Sequence, residues 1–269
     1  ISNINYPMPL TNKQLEELEL QYFETIFSSL RSNIRGVVDD LQSMNKIKDY
    51  WKNIAKSGDG YDAGFERVIY SSLQRGTSDL GRPNSCLVGA DLFFESTDAF
   101  IHIDLKSNQP GNNTSDHWSP KMEANQSSYK INYNVDGEER KFEANLPKYY
   151  SINNLDKPTL TYFISILYVV ETNDNIFNNL SIANINLSCM PNGQLVDLYG
   201  RDPVGAGGNI DIKKARFRMW SQNKILKFRA LENQPNRLRL LFENQNLINM
   251  TEMTSKRPLL KLLSSLRSV

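Results

Sequence analysis

Cysteine and histidine are almost missing from this chain, with two of each in 269 residues. Cys86 and Cys189 are too few for the disulfide framework of a secreted domain or for a thiolate metal cluster. Both lie in apolar, strand-like surroundings, so two buried thiols are expected. The shortage of histidine disfavours a zinc site and histidine-based catalysis. Charge of one sign is missing too. Lys and Arg number 31 against 30 acids, a net +1, so no global field draws a polyanion and any basic surface must be local. No apolar run is long enough to span a bilayer; the longest, Tyr162 to Val170, is far too short. The first residues lack the apolar core of a signal peptide, which leads us to expect a cytoplasmic protein with no membrane association. Gly205 to Gly208 is no phosphate cradle, because no Gly-Lys-Ser/Thr follows it.

What remains suits a globular α/β protein: 39% hydrophobic residues can bury a substantial core. Thr11-Asn12-Lys13-Gln14 is a capping box. Leu15, Leu18, Tyr22, Ile26, Leu30, Ile34, Val37 and Leu41 then keep helical spacing, and a second helix is expected from Ser43 to Ala55. Asp62 to Leu73 predicts a third, with Phe65, Val68, Ile69 and Leu73 as its stripe and Glu66 at the border. Lys121 to Tyr129 predicts a fourth. Ile131 to Val135 and Arg140 to Leu146 read as a hairpin about Asp136-Gly137. Thr159 to Val170 reads as a buried central strand, and Leu180 to Cys189 with Gln194 to Tyr199 as another hairpin. Lys256 to Val269 has the leucine spacing of an amphipathic helix. We expect a single domain over 1–269: a helical scaffold (1–57), a core (61–200) and a late basic part (209–269).

The stretch from Gly89 to Lys106 organises the rest. Two short strands rich in aromatic and β-branched residues flank the polar turn Glu95-Ser96-Thr97-Asp98. Closing the hairpin there sets Asp91 roughly opposite Asp104. The strand period of two sends Ile101, Ile103 and Leu105 to one face and His102, Asp104 and Lys106 to the other. Two carboxylates and an ammonium then converge beside a hydrophobic sheet. That set suits Mg2+, which takes oxygen ligands from one or two carboxylates, several waters and a substrate phosphate. A lysine two residues past the second acid is placed to hold an attacking water. An amphipathic hairpin with a surface Asp–Lys pair is the plainer alternative.

Asp91, a hairpin, then Asp104-Leu105-Lys106 resembles the active-site motif of the PD-(D/E)XK nucleases, the fold of most type II restriction endonucleases. The likeness rests on residues 91–106, with Ala90 where the motif's name has proline, a position that carries no chemistry. It implies a mixed central β-sheet with a catalytic hairpin flanked by helices. It also implies Asp91, Asp104 and the Leu105 carbonyl as metal ligands, Lys106 on the water, and Glu66 as a third acid. The implied activity is Mg2+-dependent, sequence-specific cleavage of double-stranded DNA by a homodimer, with a cognate DNA methyltransferase as functional companion. A repair or recombination nuclease of the same fold, or a non-catalytic DNA-binding protein, is the alternative.

Acid-x-Lys triplets are common, and this chain has two more. Glu139-Arg140-Lys141 lies in a charged run beside a turn and reads as a solvated hairpin. Asp211-Ile212-Lys213, with Asp197 ahead of it, is the serious rival, but a long glycine-bearing loop separates its two acids. From Ile212 to Arg229 there is no acid at all, while Lys213, Lys214, Arg216, Arg218, Lys224, Lys227 and Arg229 alternate with Phe217, Trp220 and Phe228. Such cations suit phosphates, and this stretch is the expected DNA-contacting segment.

Overall fold

In the computed structural model the capping box forms as the sequence requires. Thr11 Oγ1 accepts from the Gln14 amide (3.3 Å), and Gln14 Oε1 accepts from the Thr11 amide (3.0 Å). The structure describes residues 10–51, 60–76, 80–83, 91–108, 121–123, 128, 131–135, 138–142, 146–152, 155–172, 178–190, 216–218 and 237–247. Three helices come first: α1 (Asn12–Ser32), α2 (Ile34–Trp51) and α3 (Gly60–Gly76). The expected helical stripe is buried except for Ile34, which is half-buried, and the helix breaks at Asn33 and not after Leu41. Asn33 leaves helical geometry (φ −127°, ψ 30°), and a Cβ at position 36 would lie 2.6 Å from its Oδ1. Gly36 therefore lets α2 begin against the Asn33 side chain, a steric detail that helical periodicity does not register.

The strands are β1 (Arg82–Pro83), β2 (Leu92–Glu95), β3 (Phe100–Asn108), β4 (Lys121–Glu123), β5 (Ile131–Val135), β6 (Glu138–Phe142), β7 (Tyr149–Ile152), β8 (Leu155–Thr172), β9 (Asn178–Met190), β10 (Arg216–Arg218) and β11 (Leu238–Glu243). Seven of them form one sheet in the order β1-β2-β3-β8-β9-β11, with β7 also on β8. The β3–β8 pair is parallel and the rest are antiparallel, so the sheet is mixed. β5 and β6 form the hairpin expected about residues 136–137, with the second strand running over Glu138–Phe142 instead of 140–146. At Lys121–Glu123 the expected helix is corrected: β4 pairs antiparallel with β10, a long-range partner that overrides the local preference of Lys-Met-Glu, while residues 124–127 and 129 of that expectation lie outside the described residues. Residues 191–215 and 248–269, which hold the other expected hairpin strand and the leucine-spaced helix, lie outside the described residues.

All three helices pack on one face of the sheet. Leu15, Leu18, Ile26 and Leu30 of α1, with Phe65, Ile69 and Leu73 of α3, meet Ile101, Ile103, Tyr162, Ile164 and Leu187 in one cluster. Each such side chain contributes about 1.5–3 kcal/mol on burial. The Tyr162 hydroxyl donates to the Glu19 carbonyl (2.8 Å), tying α1 to the central strand. Pro158 sits inside β8 opposite Tyr149, just ahead of Thr159, where the pairing with β3 begins, so its missing N–H breaks no bond to β3. Among the described residues, no helix is long and apolar enough to cross a membrane.

Candidate active site

The β2–β3 hairpin has the register expected from its turn: Leu92 pairs with Ile103 and Glu95 with Phe100. Asp91, one residue before β2, thus comes level with Asp104. The turn is held from several sides. Ser96 N–H donates to the Ala99 carbonyl and the Ala99 amide donates to Ser96 Oγ, both at 3.0 Å. The Tyr22 hydroxyl of α1 bonds Asp98, and Lys157 Nζ donates to Glu95 (3.1 Å) and to the Ser96 carbonyl (2.8 Å). Gly81 admits β1 to this edge. Its φ is +84°, and a Cβ there would meet the Glu95 carbonyl oxygen at 2.0 Å.

Beyond Asp104, β3 outruns its hairpin partner and is carried to Asn108 by β8 alone. Where β2 would have continued, the Asp91 side chain takes over: its Oδ2 accepts the Leu105 N–H at 2.6 Å. Within a strand the N–H and C=O of one residue point to the same side, so the Leu105 carbonyl faces this gap too. Lys106 Nζ lies 2.5 Å from Asp104 Oδ2, with the Asp104 side chain 1% exposed and that of Lys106 29%. Glu66 arrives from α3, seated by its buried neighbour Phe65, whose ring meets Tyr168 edge-on at 5.3 Å. Together Phe65, Glu66, Asp91, Asp104, Leu105, Lys106, Ser107 and Ile166 line a pocket of about 320 Å³. Next along the strand face, His102 is buried and neutral. Desolvation, then the Lys106 ammonium, push its pKa from 6.5 down to about 3.

All five of the catalytic and metal-holding residues expected from the sequence, Glu66, Asp91, Asp104, Leu105 and Lys106, therefore meet around one pocket. Phe65, Ser107 and Ile166 were not expected there. Ser107 is legible one step along the strand, but Ile166 depends on the parallel β3–β8 register, which pairs it with Ser107. Of the cationic segment, only Arg216 and Arg218 are described, as the backbone of β10. Lys213, Lys214, Lys224, Lys227 and Arg229 lie outside the described residues, as do Asp197 and Asp211 of the rival pair. Cys189 is buried, and desolvation pushes its thiol pKa far up.

The donor set fits a hard divalent cation: carboxylate and carbonyl oxygens with no thiol or imidazole among the lining groups. Among the described residues no three His, Cys, Asp or Glu side chains gather tightly enough to enclose a metal alone. Two carboxylates leaving coordination positions to water and phosphate is the pattern Mg2+ uses.

A mixed sheet flanked by helices, with Asp104 and Lys106 on a strand that outruns its hairpin partner and Asp91 just ahead of that partner, places the chain in the restriction-endonuclease-like class by fold. Two solved structures share that fold. Restriction endonuclease BglI, bound to its DNA recognition sequence, superposes with a TM-score of 0.62 at 16% identity, over 85% of this chain and 91% of that one. Tetrameric restriction endonuclease SfiI, bound to cognate DNA, gives 0.61 at 17% identity, over 86% of each chain. Comparison with curated protein sequences finds no match. Residues 11–173 match the N-terminal domain of type II restriction enzyme MwoI, and residues 182–242 match its central domain. The chain belongs to this family of type II restriction enzymes. The gap between the two matches, 174–181, runs into the start of β9, which pairs with β8 along its length within one sheet.

Proposed function

We propose that the pocket between β2, β3 and α3 is the Mg2+-dependent cleavage site of a type II restriction endonuclease acting on double-stranded DNA. The observation that carries this reading is the meeting of Asp91, Asp104 and Lys106 at the end of β2, where Asp91 replaces a missing strand neighbour by holding the Leu105 amide. Type II restriction enzymes use a divalent cation in general; Mg2+ is the proposed one. A divalent cation there would offset charge at the scissile phosphate and make a nearby water more acidic. Asp91 and Asp104 would supply carboxylate oxygens to it, and Leu105 its carbonyl. Glu66 supports the site from α3. Lys106, resting on Asp104, turns its ammonium to the attacking water and positions it for in-line approach.

The cationic stretch Lys213 to Arg229 is proposed to grip DNA phosphates. One such pocket per chain among the described residues, against two strands to cut, supports a homodimer on a symmetric site. The enzyme is proposed to act in the cytoplasm beside a cognate DNA methyltransferase that shields host sites. Incubation with a sequenced plasmid and Mg2+, followed by mapping of the ends, tests this. Discrete double-strand breaks at one recurring short sequence, abolished by EDTA, are expected. Preference for branched or damaged DNA would mark a repair nuclease. Binding without any Mg2+-dependent breakage would refute the catalytic assignment.

A further inference from the structure

We infer that Ser107 contacts the substrate: its hydroxyl donates a hydrogen bond to a non-bridging oxygen of the scissile phosphate. The inference rests on the reading of the pocket as the cleavage site. Ser107 lines that pocket immediately after Lys106. By the strand period it shares the face of Leu105, the side on which α3 brings Phe65 and Glu66, whereas Asp104 and Lys106 project from the opposite face. The pocket is thus bounded from both faces of β3, and Ser107 stands on the side that Lys106 does not serve.

Charge makes a neutral donor useful at that position. Asp91, Asp104 and Glu66 offset the single ammonium of Lys106, which lies on Asp104, and a divalent cation held by Asp91 and Asp104, so among the described residues no cation is left to meet the phosphate on the α3 side. A phosphodiester entering the pocket adds another negative charge. On the α3 side its oxygens would face Glu66, and Ser107 is the side chain of that side whose O–H can turn a positive end toward them. A hydroxyl has one donor and two acceptor lone pairs, so it can accept from a neighbour and still donate to the phosphate. Ser107 is also fixed in place, since β8 holds β3 through Asn108 with Ser107 paired to Ile166.

The test uses the full-length protein and a duplex carrying its mapped cleavage sequence, under single-turnover conditions. Ser107→Ala should slow cleavage about 10- to 100-fold, the size of one hydrogen bond to a charged oxygen. Ser107→Cys keeps the volume with a weak donor and should fall likewise, whereas Ser107→Thr should retain most of the rate. The Ser107→Ala penalty should vanish on one phosphorothioate diastereomer at the scissile position and persist on the other, an effect that a merely structural serine would not produce. Parental rates for Ser107→Ala and Ser107→Cys, or an equal penalty on both diastereomers, would overturn the inference. Inactive Asp104→Ala and Lys106→Ala beside a fully active Ser107→Ala would remove this inference alone. Full cleavage by Asp104→Ala would remove the reading beneath it.

Discussion

Removing one carboxylate far from the pocket should destabilise this protein more than removing any exposed charge. Arg237, just before β11, is 1% exposed and donates to Glu19 of α1 at 2.7 Å, with the Glu19 side chain 2% exposed. Glu19→Ala would leave a guanidinium buried with reduced compensation, and breaking a buried ion pair in this way costs about 3–5 kcal/mol. Two neighbours soften the loss. Glu16 lies 3.6 Å from the same guanidinium, and Cys189 Sγ accepts from Arg237 at 3.4 Å. The lower end, about 3 kcal/mol, is therefore expected. The comparison is Glu24→Ala, which breaks the ion pair with Arg239 at the surface, where Glu24 is 54% exposed. Screening limits that loss to about 0–1 kcal/mol. Urea unfolding of both variants, with midpoints compared at constant slope, measures the difference. The double change Glu19→Met with Arg237→Met removes both charges and should recover most of the loss. Equal, small shifts for Glu19→Ala and Glu24→Ala would refute the reasoning.

Asp104→Ala and Lys106→Ala should each abolish Mg2+-dependent cleavage while leaving the fold intact, read by plasmid cutting and circular dichroism. Asp91→Asn should remove turnover, whereas Asp211→Asn should leave it and at most weaken DNA binding slightly. Stability should fall in acid, because folded His102 stays neutral down to about pH 3 while the unfolded imidazole takes up a proton below about 6.5. The loss from this group between pH 7 and pH 5 is about 2 kcal/mol, and His102→Gln should flatten that part of the stability profile. An equally steep profile in His102→Gln would place the acid sensitivity elsewhere. DNA affinity should drop steeply with salt, and alanine at Lys213, Lys214, Arg216 and Arg218 should shallow the log–log slope by about 0.9 for each phosphate no longer neutralised. An unchanged slope would locate the DNA surface elsewhere.

The β2–β3 hairpin was legible in the sequence because its information is local. A four-residue polar turn sets the register, and the register sets Asp91 against Asp104. The capping box at Thr11 and the stripes of α1 and α3 were legible for the same reason. What escaped depends on distant partners. The parallel pairing of β3 with β8 brings Ile166 to the pocket wall from a strand far along the chain, and nothing near Ser107 announces it. β4 looked helical because only its pairing with β10 makes it a strand. Glu19 and Arg237 lie at opposite ends of the chain, and each alone reads as a solvated charge. The helix break at Asn33 escaped for a different reason: the steric fit of Gly36 against the Asn33 side chain leaves no mark on hydrophobic spacing.

Crystals soaked in Mn2+ and measured for anomalous scattering test the central claim most directly. A metal peak is expected between the Asp91 and Asp104 carboxylates, within reach of the Leu105 carbonyl and beside Lys106. A peak between Asp197 and Asp211, with none near Asp91, would contradict it and move the cleavage site to the later acid pair.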